Sequence, residues 1–395
     1  MKILSLFDGM ACGMIAMLNA GVEVESYDAY EIDKYAIKVS SYNFPNIRQH
    51  GDVFLADFTQ HEGVDFLIGG SPCTHWSIAR LGGRETKASG VGWELFSQYV
   101  RAVKEAKPKF FIYENNKSMS DEIRESIDRA FGFESVCINS ALVSAQNRQR
   151  LYWVGIRNPD GTYSKVPVDQ PEDRGVLLRD ILVTGEPINT TVGGDKARTC
   201  MAGYYKYGTA TLLTNPGFTG GTTAVAEPVP FVLGKLPDAA NKFGHIPQMW
   251  NPYNNAEITD KMPTLTTCCG SQTSSSSLMI FDEAGAIVEL DKDGKPTKAR
   301  SRADGKVHTV YEVKDGQITI KGKQYPIKLA DGFYIIRKLI ITECMRLQTV
   351  PEWYDFSVIS DSQAYKCLGN GWTCDVITHL SKATQEEKVN ENYVR

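Results

Sequence analysis

The segment Lys2-Ile3-Leu4-Ser5-Leu6-Phe7-Asp8-Gly9-Met10-Ala11-Cys12-Gly13 decides how the rest of the chain is read. The mostly apolar run Ile3–Phe7 predicts a buried strand, and Cys12–Ala20 predicts a helix. Gly9 and Gly13 lie in the joint between them, where glycine permits a tight turn and close approach of backbone to a ligand. The joint does not follow Gly-x-Gly-x-x-Gly, so a dinucleotide is weakly supported. Taken alone, it is equally a plain strand-to-helix turn.

Outward from that joint the same unit repeats. Short apolar runs at Val22–Tyr27, Phe66–Gly69, Phe110–Glu114, Val136–Val143 and Leu151–Ile156 predict further strands. Amphipathic stretches at Lys34–Tyr42, Glu94–Ala106 and Ser120–Phe131 predict helices between them. Ser120, followed by Asp121 and Glu122, reads as a capped helix start with acids at the positive end of the dipole. Alternating strands and helices predict an α/β fold wound around a parallel sheet.

After Arg157 the texture changes. Gly, Thr, Pro, Tyr and Asn rise and periodicity fades. Between about 281 and 336, four Asp-Gly pairs (293–294, 304–305, 315–316, 331–332) punctuate β-rich runs and predict hairpins. From Ile335 the αβ pattern returns and runs to a helix at Asp375–Lys382. The parse is one doubly wound domain, residues 1–165 and 358–395, interrupted by a smaller β-rich domain, residues 166–357.

The chain has 395 residues, 42% hydrophobic and 23% charged, enough for a sizeable core. Lys and Arg total 43 against 47 Asp and Glu, a net charge of −4. That excludes a globally basic protein but leaves room for a local cationic face. No run reaches the roughly 20 apolar residues of a membrane span. The nine cysteines show no pairing pattern and the six histidines no ligand spacing. The chain reads as intracellular, with reduced thiols and without a metal.

Several residues suggest chemistry at the carboxyl ends of the strands, where open α/β sheets bind ligands. Glu31, about 20 residues past the glycine joint, suits a ribose diol, and Asp33 could instead cap the next helix. Asp52 could accept from an adenine amino group. No phosphate-binding Lys is present, so the ligand lacks a polyphosphate. Gly69-Gly70-Ser71-Pro72 fixes the backbone before Cys73. A buried structural thiol is the commonest fate of a free cysteine. Against that, a polar, Gly-rich stretch from Thr74 to Trp93 follows, a poor core element and a good lid. Glu114 ends another strand on the same rim, and a thiol beside a carboxyl acid suits covalent addition to an electron-poor ring. Gln146-Asn147-Arg148-Gln149-Arg150 precedes the next strand and also reads as a plain charged strand start.

Together these blocks resemble the DNA cytosine-5 methyltransferase family, in the family's order and over nearly the whole chain. Leu6–Gly13 is similar to the S-adenosylmethionine loop, Gly70-Ser71-Pro72-Cys73 to the nucleophile motif and Glu114-Asn115 to the Glu-Asn motif. Gln146-x-Arg148-x-Arg150, Arg337-Lys338-Leu339 with Glu343–Gln348, and Leu368-Gly369-Asn370-Gly371 resemble the later blocks. The variants Leu-Phe-Asp-Gly and Gly-Ser-Pro-Cys are similar to those of vertebrate de novo and phage orphan enzymes. Two positions depart: Asn116 stands where the family usually has Val, and Thr74-His75-Trp76 replaces the commoner residues. Neither removes a catalytic group.

The resemblance implies a Rossmann-like S-adenosylmethionine-dependent methyltransferase sheet with a target-recognition domain between its two parts. It implies Cys73 as nucleophile, Glu114 as donor to ring nitrogen 3 and Arg148 at the cytosine oxygen, with Arg150 a further catalytic residue. It implies a cofactor pocket of Phe7, Asp8, Gly9, Glu31, Ile32, Asp52, Val53, Pro72, Leu95 and Asn370. Double-stranded DNA would meet Ser77, Arg80, Arg84 and Lys87 on the lid. On the insertion, Lys196, Arg198, Lys206 and the tyrosines 204, 205 and 207 are candidate contacts, and Trp76 could stack on or wedge into the duplex. The resemblance also implies a monomer, cytoplasmic in a prokaryote or phage-encoded, with no membrane or metal partner.

Overall fold

The computed structural model describes residues 1–77, 83–188, 195–214, 223–229, 249–251, 256–257, 279–280, 287–291 and 295–393. The first part is built on strands β1 (Lys2–Leu6), β2 (Ser26–Tyr30), β3 (Arg48–Gln49), β4 (Phe66–Gly69), β5 (Phe110–Asn116) and β6 (Val136–Asn139). The two-residue β7 (Gln146–Asn147), then β8 (Gln149–Arg157) and β9 (Tyr163–Lys165) follow. The sheet order is β3-β2-β1-β4-β5-β8-β6, with β9 on β8. Chain order reverses at β1, which pairs in parallel with both β2 and β4. The crevice at that reversal is where ligands bind in such sheets.

Three strands depart from expectation, the first being β6, which stops at Asn139 instead of Val143 because the Asn139 side chain caps a 3-10 turn over Ser140–Leu142. The alternating Val22-Glu23-Val24-Glu25 resembles a half-exposed strand, yet β2 begins at Ser26. A central parallel strand is covered on both faces, and Tyr27-Asp28-Ala29-Tyr30 are all buried. β8 runs antiparallel to both β5 and β6. Only residues 140–148 join β6 to β8, too short for the crossover a parallel neighbour needs.

Helices α1 (Cys12–Asn19), α2 (Lys34–Asn43), α3 (Val91–Ala106) and α4 (Asp121–Phe131) lie close to the expected ranges. Asp33 caps α2 through the Tyr35 amide, and Ser120 caps α4 through the Ile123 amide. Aromatics of α3 and α4 (Phe96, Tyr99, Phe131) cover one sheet face with Phe111, Tyr113 and Trp153. α1 and the C-terminal helix Cys374–Tyr393 supply the other face, through Met14, Met17, Val376, Ile377 and Leu380. α1 sits so close that a Cβ on Gly13 would lie 2.2 Å from Ile68 Cδ1, so any larger residue there would displace the Ile68 side chain.

The insertion forms a second sheet ordered Glu186–Ile188, Ala224–Pro228, Gly332–Lys338, Val307–Lys314, Pro296–Arg300, Ile287–Leu290. Asp315 and Gly316, at φ 52° and 69°, make the tight turn between Val307–Lys314 and Gln317–Ile320. Asp304-Gly305 also lies between strands and Asp331-Gly332 opens one, whereas 293–294 lies outside the described residues. The core is continuous across the two parts, from Met10, Cys12 and Ile15 through Ala197 and Cys200 to Val225 and Ile336. Ala197–Arg198 pairs in parallel with β7, and Gln146 reaches the Leu347 carbonyl at 2.7 Å. Segments numbered within 166–357 therefore pack directly on the first sheet's domain.

Candidate active site

The loop after β1 is built from left-handed backbone: Phe7, Gly9 and Ala11 have φ of 58°, 60° and 61°. The Glu31 carboxylate closes that loop, accepting from the Gly9, Ile32 and Asp33 amides at 2.8 Å each. Three amides hold a carboxylate just beyond β2, against the loop that follows β1. Beside it Ile32 is 73% exposed, an apolar side chain with nothing over it. Asp52 sits at the end of β3's loop, accepting from the Phe54 amide at 3.0 Å, with Val53 buried below. Asp8 turns the other way. Its Oδ1 accepts from Ser5 and Tyr27 hydroxyls at 2.6 Å, while Oδ2 is buried without a partner. Burial pushes the Asp8 carboxyl up to about 6. Asp8 therefore serves as the loop's internal anchor. No Lys or Arg occurs between Phe7 and Gly13. This donor set fits a ribose diol, an adenine amino group and a cationic centre, and does not fit a polyphosphate.

β4 ends at Gly69, opposite Tyr113 of β5. Pro72 and Cys73, just beyond β4, therefore share a rim with Glu114. Cys73 opens a short 3-10 turn, Cys73–His75, and is half-buried. Its turn is braced from β5: Asn115 donates to the Ser71 carbonyl at 3.1 Å and Asn116 to the Cys73 carbonyl at 3.5 Å. Ser71 and Tyr113 hydroxyls meet at 2.6 Å beneath. Asn116, the departure from the family pattern, thus tethers the backbone of the thiol's own residue. Leu95 of α3 is half-buried, and Asn370 ends the helix Asp361–Asn370, exposed.

Both oxygens of Glu114 are held. Arg150 Nε lies 3.0 Å from Oε1, and the Trp372 indole donates to Oε2 at 2.9 Å. Arg148, the residue expected at the substrate oxygen, makes other hydrogen bonds. Its guanidinium donates to the carbonyls of Cys200 (3.1 Å), Gly369 (3.3 Å) and Gly371 (2.8 Å). Burial and the neighbouring Arg150 pull its pKa down to about 10. The arginine that touches the carboxylate is Arg150. Trp372 carried no signal in the sequence reading, because nothing local marks it as Glu114's neighbour. The Arg337–Glu343 block is likewise structural. Arg337 pairs with Glu343 at 2.8 Å and Glu227 at 3.3 Å, all buried between the insertion and the helix Ile341–Leu347.

The expected DNA contacts divide. Trp76 is fully buried in the α3–α4 core, which corrects the expectation that it meets DNA. Glu85 ties the loop to α3, meeting His75 at 3.2 Å and the Gly92 amide at 3.1 Å. Arg84 donates to the Ser118 carbonyl, so it is committed to the protein here, and Arg80 lies outside the described residues. Ser77 donates its amide to the Cys73 carbonyl, while Lys87 is exposed. Lys196 donates to the carbonyls of Ala141, Ser144 and Val176, a clamp rather than a surface charge. Arg198 is half-buried beside Thr223, Tyr204 is buried, and Lys206 lies over the Tyr205 ring. No cluster able to hold a metal and no helix long and apolar enough to cross a membrane occurs among the described residues.

Fold and rim define the class: a doubly wound α/β protein with a thiol and a carboxyl at one strand edge. The chain belongs to the C-5 cytosine-specific DNA methylase family, whose model matches residues 1–200 and 242–386. It is 35% identical over 171 residues to the orphan methyltransferase M.SPRI of Bacillus phage SPR, 40% of this chain and 38% of that protein. The chain thus spans under two fifths of that relative's length. The orphan methyltransferase M.Phi3TI of Bacillus phage phi3T is 26% identical over 466 residues, covering 99% of both chains. A DNMT2 mutant from Spodoptera frugiperda shares the fold, with a TM-score of 0.51 and 16% identity over 97% of this chain and 98% of that one.

Proposed function

We propose that the protein methylates carbon 5 of cytosine in duplex DNA, with S-adenosylmethionine as methyl donor and Cys73 as covalent nucleophile. The observation that carries this reading is the shared rim of Cys73 and Glu114, the carboxylate being oriented on both oxygens. Carbon 5 cannot be reached in a stacked base, so the target nucleotide is extruded from the duplex. The Cys73 thiolate bonds to carbon 6 as the 5,6 double bond opens, and Glu114 passes a proton to nitrogen 3. Arg150 holds that carboxyl in place. S-adenosylmethionine, when bound, supplies an electrophilic methyl group to carbon 5. Loss of the carbon 5 proton to water then restores the 5,6 double bond and expels the Cys73 thiolate, and nitrogen 3 returns its proton to Glu114. Glu31 would hold the ribose hydroxyls, Asp52 the adenine amino group and Ile32 the ring face. The β-rich part between the two halves would read the target sequence, and major-groove readout by its loops suits the want of a recognition helix among the described residues.

The test is a duplex carrying 5-fluorocytosine, incubated with S-adenosylmethionine. The fluorine blocks release, so wild type should form a covalent complex and Cys73→Ala should not. Covalent trapping by Cys73→Ala would refute the nucleophile. Trapping of tRNA in place of duplex DNA would move the substrate to RNA.

A further inference from the structure

We propose that Trp372 is a positioning residue for Glu114, and that Arg148 acts on the same carboxylate through it. The inference rests on the function proposed above. The indole Nε1 donates to Glu114 Oε2 at 2.9 Å, from a segment 258 residues away in the chain. The backbone on both sides of Trp372 is pinned. Gly371's carbonyl accepts from Arg148 at 2.8 Å and from Gln348 at 3.3 Å. Thr373's hydroxyl meets Gln348 at 2.9 Å and Ser140 at 2.8 Å. A Cβ on Gly371 would stand 3.0 Å from Cys12 Sγ, so the turn has little freedom to slide. The indole is therefore delivered by a rigid turn, the condition under which one hydrogen bond fixes a geometry.

The chemistry of the donor gives the contact its meaning. Indole N–H donates and never accepts. A proton on Glu114 Oε2 must therefore point away from Trp372, and Oε1 faces Arg150. With one donor on each oxygen, the carboxyl is held in place at the rim it shares with Cys73. The two arginines of Gln146-x-Arg148-x-Arg150 divide this work: Arg150 grips Glu114 directly and Arg148 grips the turn that carries Trp372.

Two measurements test it. In protein with ¹⁵N-labelled tryptophan, six indole signals are expected from the six tryptophans. Trp372→Phe should delete one and leave five in place, which also reports that the variant folds. Glu114→Gln should shift that same signal most. If another indole moves instead, the contact is absent and the proposal falls, whatever the enzyme does. Methyl transfer by Trp372→Phe should show kcat lowered by about tenfold to a hundredfold, the worth of a hydrogen bond to a charged group, with KM for cofactor within about twofold. Wild-type kcat in Trp372→Phe would overturn the positioning role. If Glu114→Gln shifts the indole signal as expected but wild type neither traps nor methylates any cytosine, the proposed function falls and the role falls with it, while the contact stands.

Discussion

Arg150 Nε stands 3.0 Å from Glu114 Oε1, although the two are not opposite each other in the ladder. In the antiparallel pairing of β5 and β8, Glu114 faces Tyr152 and Arg150 faces Asn116. The ion pair is diagonal, between residues on the same sheet face, within reach of a long side chain. Arg148, two residues earlier, leaves the ladder and spends its donors on carbonyls of two other segments. Two arginines of one short motif therefore have different physical duties.

That division predicts different phenotypes. Arg150→Ala should lower methyl transfer by about tenfold or more, since a charge-assisted bond is worth about 1.5–3 kcal/mol, with little loss of stability. Arg148→Ala takes a donor from three carbonyls, of which Gly371's keeps Gln348, and should cost about 2–4 kcal/mol of stability. Thermal melts and single-turnover rates on the two variants separate the effects. Equal melting losses would show the two arginines to be equivalent.

Cations near the expected DNA face should also behave unequally. Lys87 is exposed on the loop before α3, whereas Lys196 is consumed by three carbonyls. Each phosphate contact contributes about 0.9 to the slope of log affinity against log salt. Lys87→Ala should flatten the slope by about one, and Lys196→Ala should leave it unchanged while lowering the melting temperature. Filter binding across a salt series decides the matter, and a flattened slope for Lys196→Ala would contradict the clamp.

Asp8 predicts a pH dependence of stability. Burial raises its carboxyl from an ordinary value of 3.8 to about 6. The folded state therefore takes up this proton before the unfolded chain does. The contribution favours folding below pH 4 and is lost as pH rises through about 6, a swing on the order of 3 kcal/mol. Asp8→Asn removes the titration. The melting temperature of the variant minus that of wild type should fall as pH drops from 7 to 4. A difference independent of pH would place Asp8 in contact with water or a cation.

Trp76 gives a fourth outcome. It is fully buried, and a Cβ on Gly92 would lie 2.4 Å from its indole nitrogen. Trp76→Ala should cost about 3–5 kcal/mol, as large aromatic truncations in cores do. A residue that stacked on DNA from the surface would lose affinity without loss of stability. Denaturant unfolding of the variant distinguishes them.

What the sequence determined alone was local. Phe66–Gly69 emerges as a strand with the expected bounds, Ser120 caps its helix, and Asp315-Gly316 makes its turn. Period, capping and turn chemistry act over a few residues, so they are legible without coordinates. Motif order also brought Cys73 and Glu114 to one rim, because strand ends of one sheet share an edge. Tertiary structure alone decided which arginine meets Glu114, that Trp372 arrives from 258 residues away, and that Trp76 and Lys196 turn inward. It also decided the direction of β8. Each of these depends on which carbonyl, carboxylate or core wall lies within a few ångströms once distant segments pack. A side chain's partner is set by that packing, and a sequence pattern records only that the side chain is there to be used.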